Sequence, residues 1–383
     1  MSAVNTYFDH NATTAIDPRV LEVMLPFLQN QHGNPTSRHA FGRTARQAID
    51  QAREQVAAAV GAHPSQVVFT SGGTEANNFA IQGICAAQAP GRIAVSVIEH
   101  PAVLKPAEAL QGRGWKLASV AADPLGRLDL DSLQATLQQP TTLLSVMAAN
   151  NETGVIQDIP AVAELAQRHG VLVHTDAVQA LGKMGLDFNA LGVQAMSLSS
   201  HKINGPQGAG ALVLDKRVDI RPLLYGGGQE KNLRSGTENI AAIVGFGLAC
   251  ELAQRELTQR TSTTARLRDQ LEQGLCRLGG VIFGASAKRL SNTSFFAFPN
   301  VEGETLVMAL DRKGFAVASG SACSSDSTEP SHVLTAMGIA PELARGAVRV
   351  SLGHDNTESQ VDAFLQTLEG ELTRMKRMAA IAI

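Results

Sequence analysis

The sequence predicts an α/β protein with a large, mostly parallel, doubly wound sheet and a smaller α+β C-terminal domain. As far as about Arg255, short apolar runs of strand length alternate with helical segments, the pattern of a parallel sheet covered by helices. Polar residues follow nearly every run, and the carboxyl ends of parallel strands form the edge at which open α/β sheets bind ligands. Beyond Arg255, amphipathic helices and scattered strands replace the alternation.

Apolar periodicity predicts the individual elements. A helix is expected over residues 44–60, where Ala45, Ile49 and Val56 share one face. The expected strands of the large sheet cover residues 67–70, 93–98, 143–148, 171–173, 195–198 and 210–214. In the C-terminal part, helices are expected over residues 264–278, 304–311 and 356–378, and strands over residues 281–283 and 294–298.

The change of pattern predicts two domains. Residues 15–254 are assigned to the large domain, and residues 1–14 with 255–383 to the small one. The small domain includes the segment ASGSACSSDSTEP, residues 318–330, whose serines and glycine predict a loop.

Composition limits the classes of function. With 383 residues, 44% of them hydrophobic, the chain is expected to be globular with a large core. Charged residues make up 17%, below the usual ~25%, which favours a surface partly covered by another subunit or domain and leans towards an oligomer. A net charge of -3 without a basic cluster argues against nucleic-acid binding.

The N-terminus and the cysteines predict a cytoplasmic protein. The opening residues lack the basic start and apolar core of a signal peptide, and no apolar run reaches the roughly 18 residues that span a bilayer. The 4 cysteines are far apart, with neither CxxC nor zinc-ligand spacing, so no metal site is expected and the thiols should be reduced.

The candidate site begins with an acid and a lysine at the ends of two neighbouring apolar runs. One run ends at Asp176, with Gln179 shortly after it, and the next ends in Ser199-Ser200-His201-Lys202. A lysine for a Schiff base, a carboxylate for a pyridine nitrogen and hydroxyls for a phosphate are what pyridoxal phosphate (PLP) requires. The alternative from these residues alone is a surface lysine and a helix-capping aspartate.

Other strand ends carry weaker signals. Ser71 to Thr74 (SGGT) joins a strand to a helix, so its free N–H groups could bind a phosphate or form an ordinary cap. His100 could stack on a cofactor ring or act as an acid and base, although a histidine before a proline is often structural. Asn151 could bind a ring hydroxyl or the backbone of its own loop.

Two residues of the C-terminal part have side chains suited to a substrate. Arg349 lies in an apolar, strand-like run, and a buried arginine needs an anion, either a substrate carboxylate or a structural acid. Cys323 lies in a polar loop that suits an exposed thiol able to ionise and attack, with an incidental surface cysteine as the alternative.

Nine motifs follow one another through the chain between residues 9 and 334. They are DHNATT, HGNPTSRH, FTSGGTEANN, IEH, NNETG, HTDAVQ, SSHKINGPQGAG, RSGTEN and SGSACSSDSTEPSHVL. In this order they resemble the cysteine desulfurases of the NifS/IscS type, which are class V, fold-type I PLP-dependent transferases. The resemblance covers essentially the whole chain.

The resemblance implies a role for each matching residue. Lys202 would carry PLP as a Schiff base, Asp176 would face the pyridine nitrogen, and His100 would stack on the ring. Asn151 and Gln179 would contact the phenolic oxygen. The phosphate would be bound by Gly73, Thr74, Ser199 and His201, and by Thr237 of the neighbouring subunit of a homodimer.

The resemblance also implies the reaction. Arg349 with Asn151 would hold the carboxylate of L-cysteine, and Cys323 would take the sulfur as a persulfide, leaving L-alanine. Sulfur would then pass to an acceptor such as an iron–sulfur scaffold or a sulfur carrier, with Cys323 at most a transient cluster ligand. A selenocysteine lyase or related class V aminotransferase is the alternative within the family, and a scaffold without cofactor or a nucleotide-binding protein the alternatives outside it.

Some positions depart from the family pattern. Ser200, Asn204 and Gln207 stand where members more often carry a small residue, an aromatic or histidine, and a lysine. The sequence ends at Ile383 without the longer tail by which housekeeping members grip their scaffold, so the acceptor is left open.

Overall fold

A computed structural model describes residues 6–320 and 329–381 of the chain. Its strands are β1 (Thr6–Tyr7), β2 (Val67–Thr70), β3 (Arg92–Ser96), β4 (Lys116–Val120), β5 (Leu143–Ser145), β6 (Leu172–Asp176), β7 (Ala195–Ser199), β8 (Gly210–Leu214), β9 (Val281–Ile282), β10 (Thr293–Ala297), β11 (Phe315–Ala316), β12 (Ala318–Ser319) and β13 (Val348–Ser351).

Helices separate most of these strands. They are α1 (Pro18–Gln29), α2 (Ala40–Ala59), α3 (Gly73–Asn78), α4 (Ile84–Ala86), α5 (Pro101–Gln111), α6 (Leu130–Leu137), α7 (Ile159–Arg168), α8 (Phe188–Leu191), α9 (Ile240–Arg255), α10 (Leu257–Arg277), α11 (Gly303–Asp311), α12 (His332–Ala336), α13 (Pro341–Arg345) and α14 (Glu358–Ile381). A π-helical stretch, Phe79–Gly83, makes α3 and α4 continuous, and Ser200–Lys202 forms a 3₁₀ turn.

The largest sheet sets the position of the candidate site. Within the described residues it has 7 strands in the order β2-β8-β7-β6-β5-β3-β4. The pairs from β7 to β4 are parallel, whereas β8 runs antiparallel to both of its neighbours. Two antiparallel steps leave β2 running in the same direction as β7. The carboxyl ends of β2, β3, β5, β6 and β7 therefore meet at one edge.

Apolar side chains cover both faces of this sheet. On one face, α2 and α9 pack over β2, β7 and β8 around Val56, Phe69 and Phe246. The other face is covered by α3 to α5, with Phe79 and Ile84 buried against β3 and β8. Fully buried strands read as continuous apolar runs, which explains why the sequence predicted them well.

The C-terminal part has its own sheet and core. Among the described residues, β12, β13, β10 and β9 form an antiparallel sheet, and β1 pairs in parallel with β11. Phe8, just after β1, packs in the same core as Leu271, Val350 and Phe364. The N-terminal strand thus contacts the C-terminal elements, while the domain boundaries at 15–254 stay a prediction. No helix of the described ranges is long and apolar enough to cross a membrane.

Candidate active site

A cavity of about 660 Å³ opens at the carboxyl edge of the large sheet. Its walls include Asp9, Asn11, Ala12, Thr13, Ser71, Gly72, Gly73, Thr74, Glu75, Asn77, His100, Met147, Asn151, Asp176, Val178, Gln179, Ser199, His201, Lys202, Gln207, Gly208 and Arg349. The residues come from the large sheet, from the N-terminal segment and from β13. A volume of this size suits a cofactor together with a small substrate.

Lys202 ends the 3₁₀ turn that follows β7. Its Nζ donates to the carbonyl oxygens of Asn11, at 2.6 Å, and Ala12, at 2.7 Å. The chain turns so tightly after Lys202 that a Cβ on Gly205 would lie 2.1 Å from Ser200 Oγ. Only glycine fits at this position. Asn204, one of the departures from the family pattern, takes φ 64°, a left-handed conformation that asparagine tolerates better than most residues.

Asp176 is the last residue of β6 and is 5% exposed. Its Oδ2 accepts from Asn77 Nδ2 at 2.6 Å, and its Oδ1 accepts from the Val178 N–H at 2.9 Å. These two bonds hold the side chain in place. The carboxylate therefore lies at the cavity wall, in a fixed orientation, as a group able to face a cationic nitrogen.

His100 is the N-cap of α5, and its Nδ1 accepts from the Ala102 N–H at 3.0 Å. The hydrogen of the neutral ring is therefore on Nε2. Burial lowers the pKa of His100, the nearby Asp176 raises it, and the charge of Lys202 lowers it. The ring at the cavity is therefore the neutral form near neutral pH.

The turn between β2 and α3 forms an anion cradle with the end of β7. Gly72 has φ +154°, and a Cβ on Gly73 would lie 2.7 Å from Val178 Cγ2. Ser199 Oγ is buried and has no hydrogen-bond partner among the described residues, although it lines the cavity. An unpartnered buried hydroxyl beside free N–H groups fits a phosphate, so the residues present are suited to PLP.

His201 lies beside this cradle, with its Nδ1 3.1 Å from Thr13 Oγ1. Burial, followed by the charges of Lys202 and Lys183, lowers the pKa of His201 to about 4. The neutral ring keeps one N–H, which can donate to an anion in the cavity.

Arg349 is 6% exposed and has a structural partner at the cavity wall. Its Nη2 donates to Asp9 Oδ1 at 2.7 Å, and its Nη1 donates to the carbonyl oxygen of Asn151 at 3.0 Å. The structural acid considered as an alternative is thus present. Arg349 Nε is buried and finds no partner in the described parts of the chain, so the guanidinium retains a donor.

The structure brings most, not all, of the predicted residues together. Gln179 is 4% exposed and lines the cavity, as do Asn151 and Thr74. Thr237 is exposed and does not line it, so its role towards a neighbouring subunit stays a prediction. Cys323 lies outside the described residues. The loop predicted over residues 318–330 starts, in the structure, with strand β12.

Sequence reasoning gave no role to several polar residues of the site. Asn11, Asn77, Asp9 and Lys183 each hydrogen-bond a predicted site residue or its main chain. Asn11 and Asp9 stand in DHNATT, and Asn77 in FTSGGTEANN, so motif membership was the available signal.

Comparison with known proteins identifies the family. The model of the class-V aminotransferases matches residues 6–364. The chain belongs to this family. A cysteine desulfurase of Bradyrhizobium diazoefficiens is 45% identical over 374 residues, which is 97% of this chain and 95% of that protein.

Comparison with solved structures agrees with this family assignment. A NifS-like protein superposes with a TM-score of 0.91 at 40% identity, covering 96% of this chain and 99% of that one. A structure described as SspA in complex with cysteine has a TM-score of 0.80 at 32% identity, covering 92% and 99% of the two chains. The resemblance to NifS/IscS-type enzymes and the predicted fold class are confirmed.

Proposed function

We propose that this chain is a PLP-dependent cysteine desulfurase, a sulfurtransferase that removes the sulfur of L-cysteine and releases L-alanine. The observation that carries the proposal is the cavity in which Lys202 and Asp176 meet the unpartnered hydroxyl of Ser199. The Bradyrhizobium diazoefficiens relative and the SspA structure with cysteine support the substrate. They favour a desulfurase over a selenocysteine lyase or an aminotransferase.

Five side chains of the cavity wall, together with main-chain N–H groups, would hold the cofactor. Lys202 Nζ would be the amine that reacts with the aldehyde carbon of PLP. Asp176 would pair with the ring nitrogen, and the His100 ring would stack on the PLP ring. Ser199 and His201, with the N–H groups of the glycine turn, would bind its phosphate. The chemistry that PLP supplies when bound is a carbonyl carbon for amino groups and a ring that takes up electrons.

Lys202 would also move protons. The carbonyl oxygens of Asn11 and Ala12 accept from its Nζ, and they would keep the amine at the cavity. An amine held there can remove a proton from the substrate Cα and return one later.

Arg349 and Asn151 would hold the substrate carboxylate. Arg349 Nε has no partner within the described chain, and a guanidinium donor left unpaired in a buried position is stabilised by an anion. The bond to Asp9 fixes the orientation of the guanidinium before the substrate arrives.

Cys323 would receive the sulfur. Its thiolate forms an S–S bond with the substrate sulfur while the substrate C–S bond breaks, and the electron pair of that bond stays with the carbon. One proton taken up at this carbon and one returned to Cα complete L-alanine, and a persulfide remains on Cys323. An iron–sulfur scaffold or a sulfur carrier would take that sulfur in the cytoplasm.

The proposed enzyme would be a homodimer. Leu224 and Tyr225 are exposed large apolar side chains, 45% and 78% accessible, and they precede RSGTEN in the chain. Covering them by a second copy would bring Thr237 towards the neighbouring cavity.

The test is an assay of both products on protein loaded with PLP. Wild type should release L-alanine and, with a thiol reductant, an equal amount of sulfide. Cys323→Ala should lose the sulfide, whereas Cys276→Ala, which alters an exposed cysteine on α10, should behave as wild type. A PLP-loaded wild type that yields neither product would refute the proposal.

A further inference from the structure

Lys183 lies behind the cavity, among residues that do line it. Its Nζ donates to Gln179 Oε1 at 2.7 Å and to Asn11 Oδ1 at 2.8 Å. Both acceptors are neutral amide oxygens. Lys183 is not a wall residue of the large cavity; it borders a smaller one of about 50 Å³, and Lys202 is the residue common to both.

These contacts fix the orientation of the Gln179 amide. The main-chain carbonyl of Asn11 can only accept, so the amide atom facing it is Nε2 and the atom facing Lys183 is the oxygen. The Nε2 of Gln179 then points the other way, where it donates to the Asn11 carbonyl at 2.9 Å. Gln179 lines the cavity, and the second N–H of Nε2 has no acceptor among the described residues, so it is the donor that the amide can offer a ligand.

The same logic applies to Asn11, which is 1% exposed. Lys183 faces its Oδ1, so its Nδ2 donates to Thr293 Oγ1 at 2.8 Å and to the Asn151 carbonyl at 3.2 Å. The Asn11 carbonyl in turn accepts from Lys202 Nζ. Lys183 therefore contacts the oxygens of two amides at the cofactor side of the cavity, and Asn292 Nδ2 also donates to the oxygen of Asn11, at 3.0 Å.

Lys183 can donate both bonds in either charge state. Burial, together with the nearby charges of Lys202 and Arg349, lowers the pKa of Lys183 well below its usual value. A neutral amine still has two N–H groups. Lys183 has two acceptors among the described residues, so loss of the proton removes neither bond.

We propose that Lys183 is a positioning residue that locks the Gln179 amide with its N–H groups towards the cavity, so that the site selects an oxygen anion at that point. The proposal rests on the proposed PLP function, in which the phenolic oxygen of PLP is the anion that Gln179 meets. Lys183 acts through Gln179 and touches neither cofactor nor substrate.

The test measures PLP binding and the absorbance bands of the holoprotein. Lys183→Met removes the donor from Gln179 Oε1 and leaves the amide held only by its bond to the Asn11 carbonyl. We expect the amide to turn over more often in this variant, and the oxygen that it then presents repels a phenolate. We expect PLP to bind about tenfold more weakly, the loss of one hydrogen bond to a charged group. The band of the ionised ring should decrease relative to that of the neutral ring.

A double-mutant cycle separates this role from general stabilisation. In a Gln179→Met background, Lys183→Met should have little further effect on either readout. Lys183→Arg, whose side chain also has only N–H donors, should keep the wild-type band ratio even if it binds PLP more weakly. Lys105→Met, which changes an exposed lysine of α5, should match wild type.

The outcomes distinguish failure of the positioning role of Lys183 from failure of the proposed function. An unchanged band ratio in Lys183→Met, or an equal loss of PLP affinity in both backgrounds, would overturn the positioning role while the wild type still binds PLP and makes alanine. A wild type without PLP bands would instead overturn the proposed function. Thermal unfolding of the apoproteins identifies a variant that fails to fold. If Lys183→Met is such a variant, Lys183→Arg is compared with wild type instead.

Discussion

Asn77 donates a hydrogen bond to Asp176, with 2.6 Å between Nδ2 and Oδ2. The bond joins α3, which follows the glycine turn, to the end of β6. It therefore couples the two parts of the cavity to which we assign the phosphate and the ring nitrogen of PLP. Asn77 is 2% exposed, and its Oδ1 has no partner among the described residues, so the bond to Asp176 is its main polar contact.

Removing this bond should weaken cofactor binding. In Asn77→Ala the Asp176 carboxylate loses a donor and can rotate away from the ring nitrogen, so PLP affinity should decrease about tenfold, the effect of one hydrogen bond to a charged group. Absorbance titration of the apoprotein with PLP measures it. Asn78→Ala, which alters the neighbouring residue on the same helix, is the control, and an equal loss in both would contradict the coupling.

The buried Glu99 should make stability depend on pH. Burial, then the charge of Asp176, raises the pKa of Glu99 to about 8. The unfolded chain releases this proton near pH 4.5 and the folded chain near 8, so the stability associated with it is complete below pH 4.5 and is lost as pH rises to about 8. The loss amounts to as much as about 1.4 kcal/mol per pH unit.

Glu99→Gln should remove that loss. The amide oxygen can still accept from the Met147 N–H, as Glu99 Oε1 does at 2.6 Å. The variant should therefore be more stable than wild type at pH 8 and gain less at pH 5, as denaturant unfolding at the two values would show. Glu108→Gln on the exposed side of α5 is the matched change, and a pH-independent gain in Glu99→Gln would argue against the raised pKa.

Arg349 should determine the affinity for the substrate carboxylate. Lysine lacks the planar fork of arginine, so Arg349→Lys should raise the KM for L-cysteine at least about tenfold and leave the PLP spectrum unchanged. Asp9→Asn keeps the cation and its bond to Asn151, so its KM should stay within about threefold of wild type. Steady-state kinetics measures both, and similar KM values for Arg349→Lys and wild type would exclude the role.

Ser331 should stabilise the chain that follows Cys323. Its hydroxyl donates to the buried carboxylate of Glu152 and also accepts from the Leu334 N–H as the N-cap of α12. Ser331→Ala removes the cap and leaves Glu152 without this donor, so the free energy of unfolding should decrease by about 2 kcal/mol. Denaturant unfolding tests this against Ser262→Ala, an exposed serine within α10.

The fold was predictable where burial leaves a continuous apolar run. Strands β2 and β8 coincide with their predicted bounds, and β7 differs by one residue. Strand β4 was missed because it lies at the edge of the sheet and is largely accessible, so its sequence KLASV carries no apolar run. The antiparallel direction of β8 was not predicted either, since an apolar run does not encode direction.

The site was predictable where side chains follow strand ends. That rule alone pointed to Asp176, His100 and Lys202, and the structure places all three in the wall of one cavity. It could not find contacts made across the sequence. Asn11 reaches Lys183 and Lys202 across more than 170 positions, and nothing local to DHNATT indicates which residues its amide will meet.

The most direct measurement of the central claim is the mass of the Cys323 peptide. Protein loaded with PLP is incubated with L-cysteine without reductant, alkylated, digested and analysed by mass spectrometry. The account predicts one extra sulfur atom on the Cys323 peptide of wild type, its absence in Lys202→Ala, and none on the Cys276 peptide. A wild type that releases alanine while its Cys323 peptide carries no extra sulfur would contradict the account.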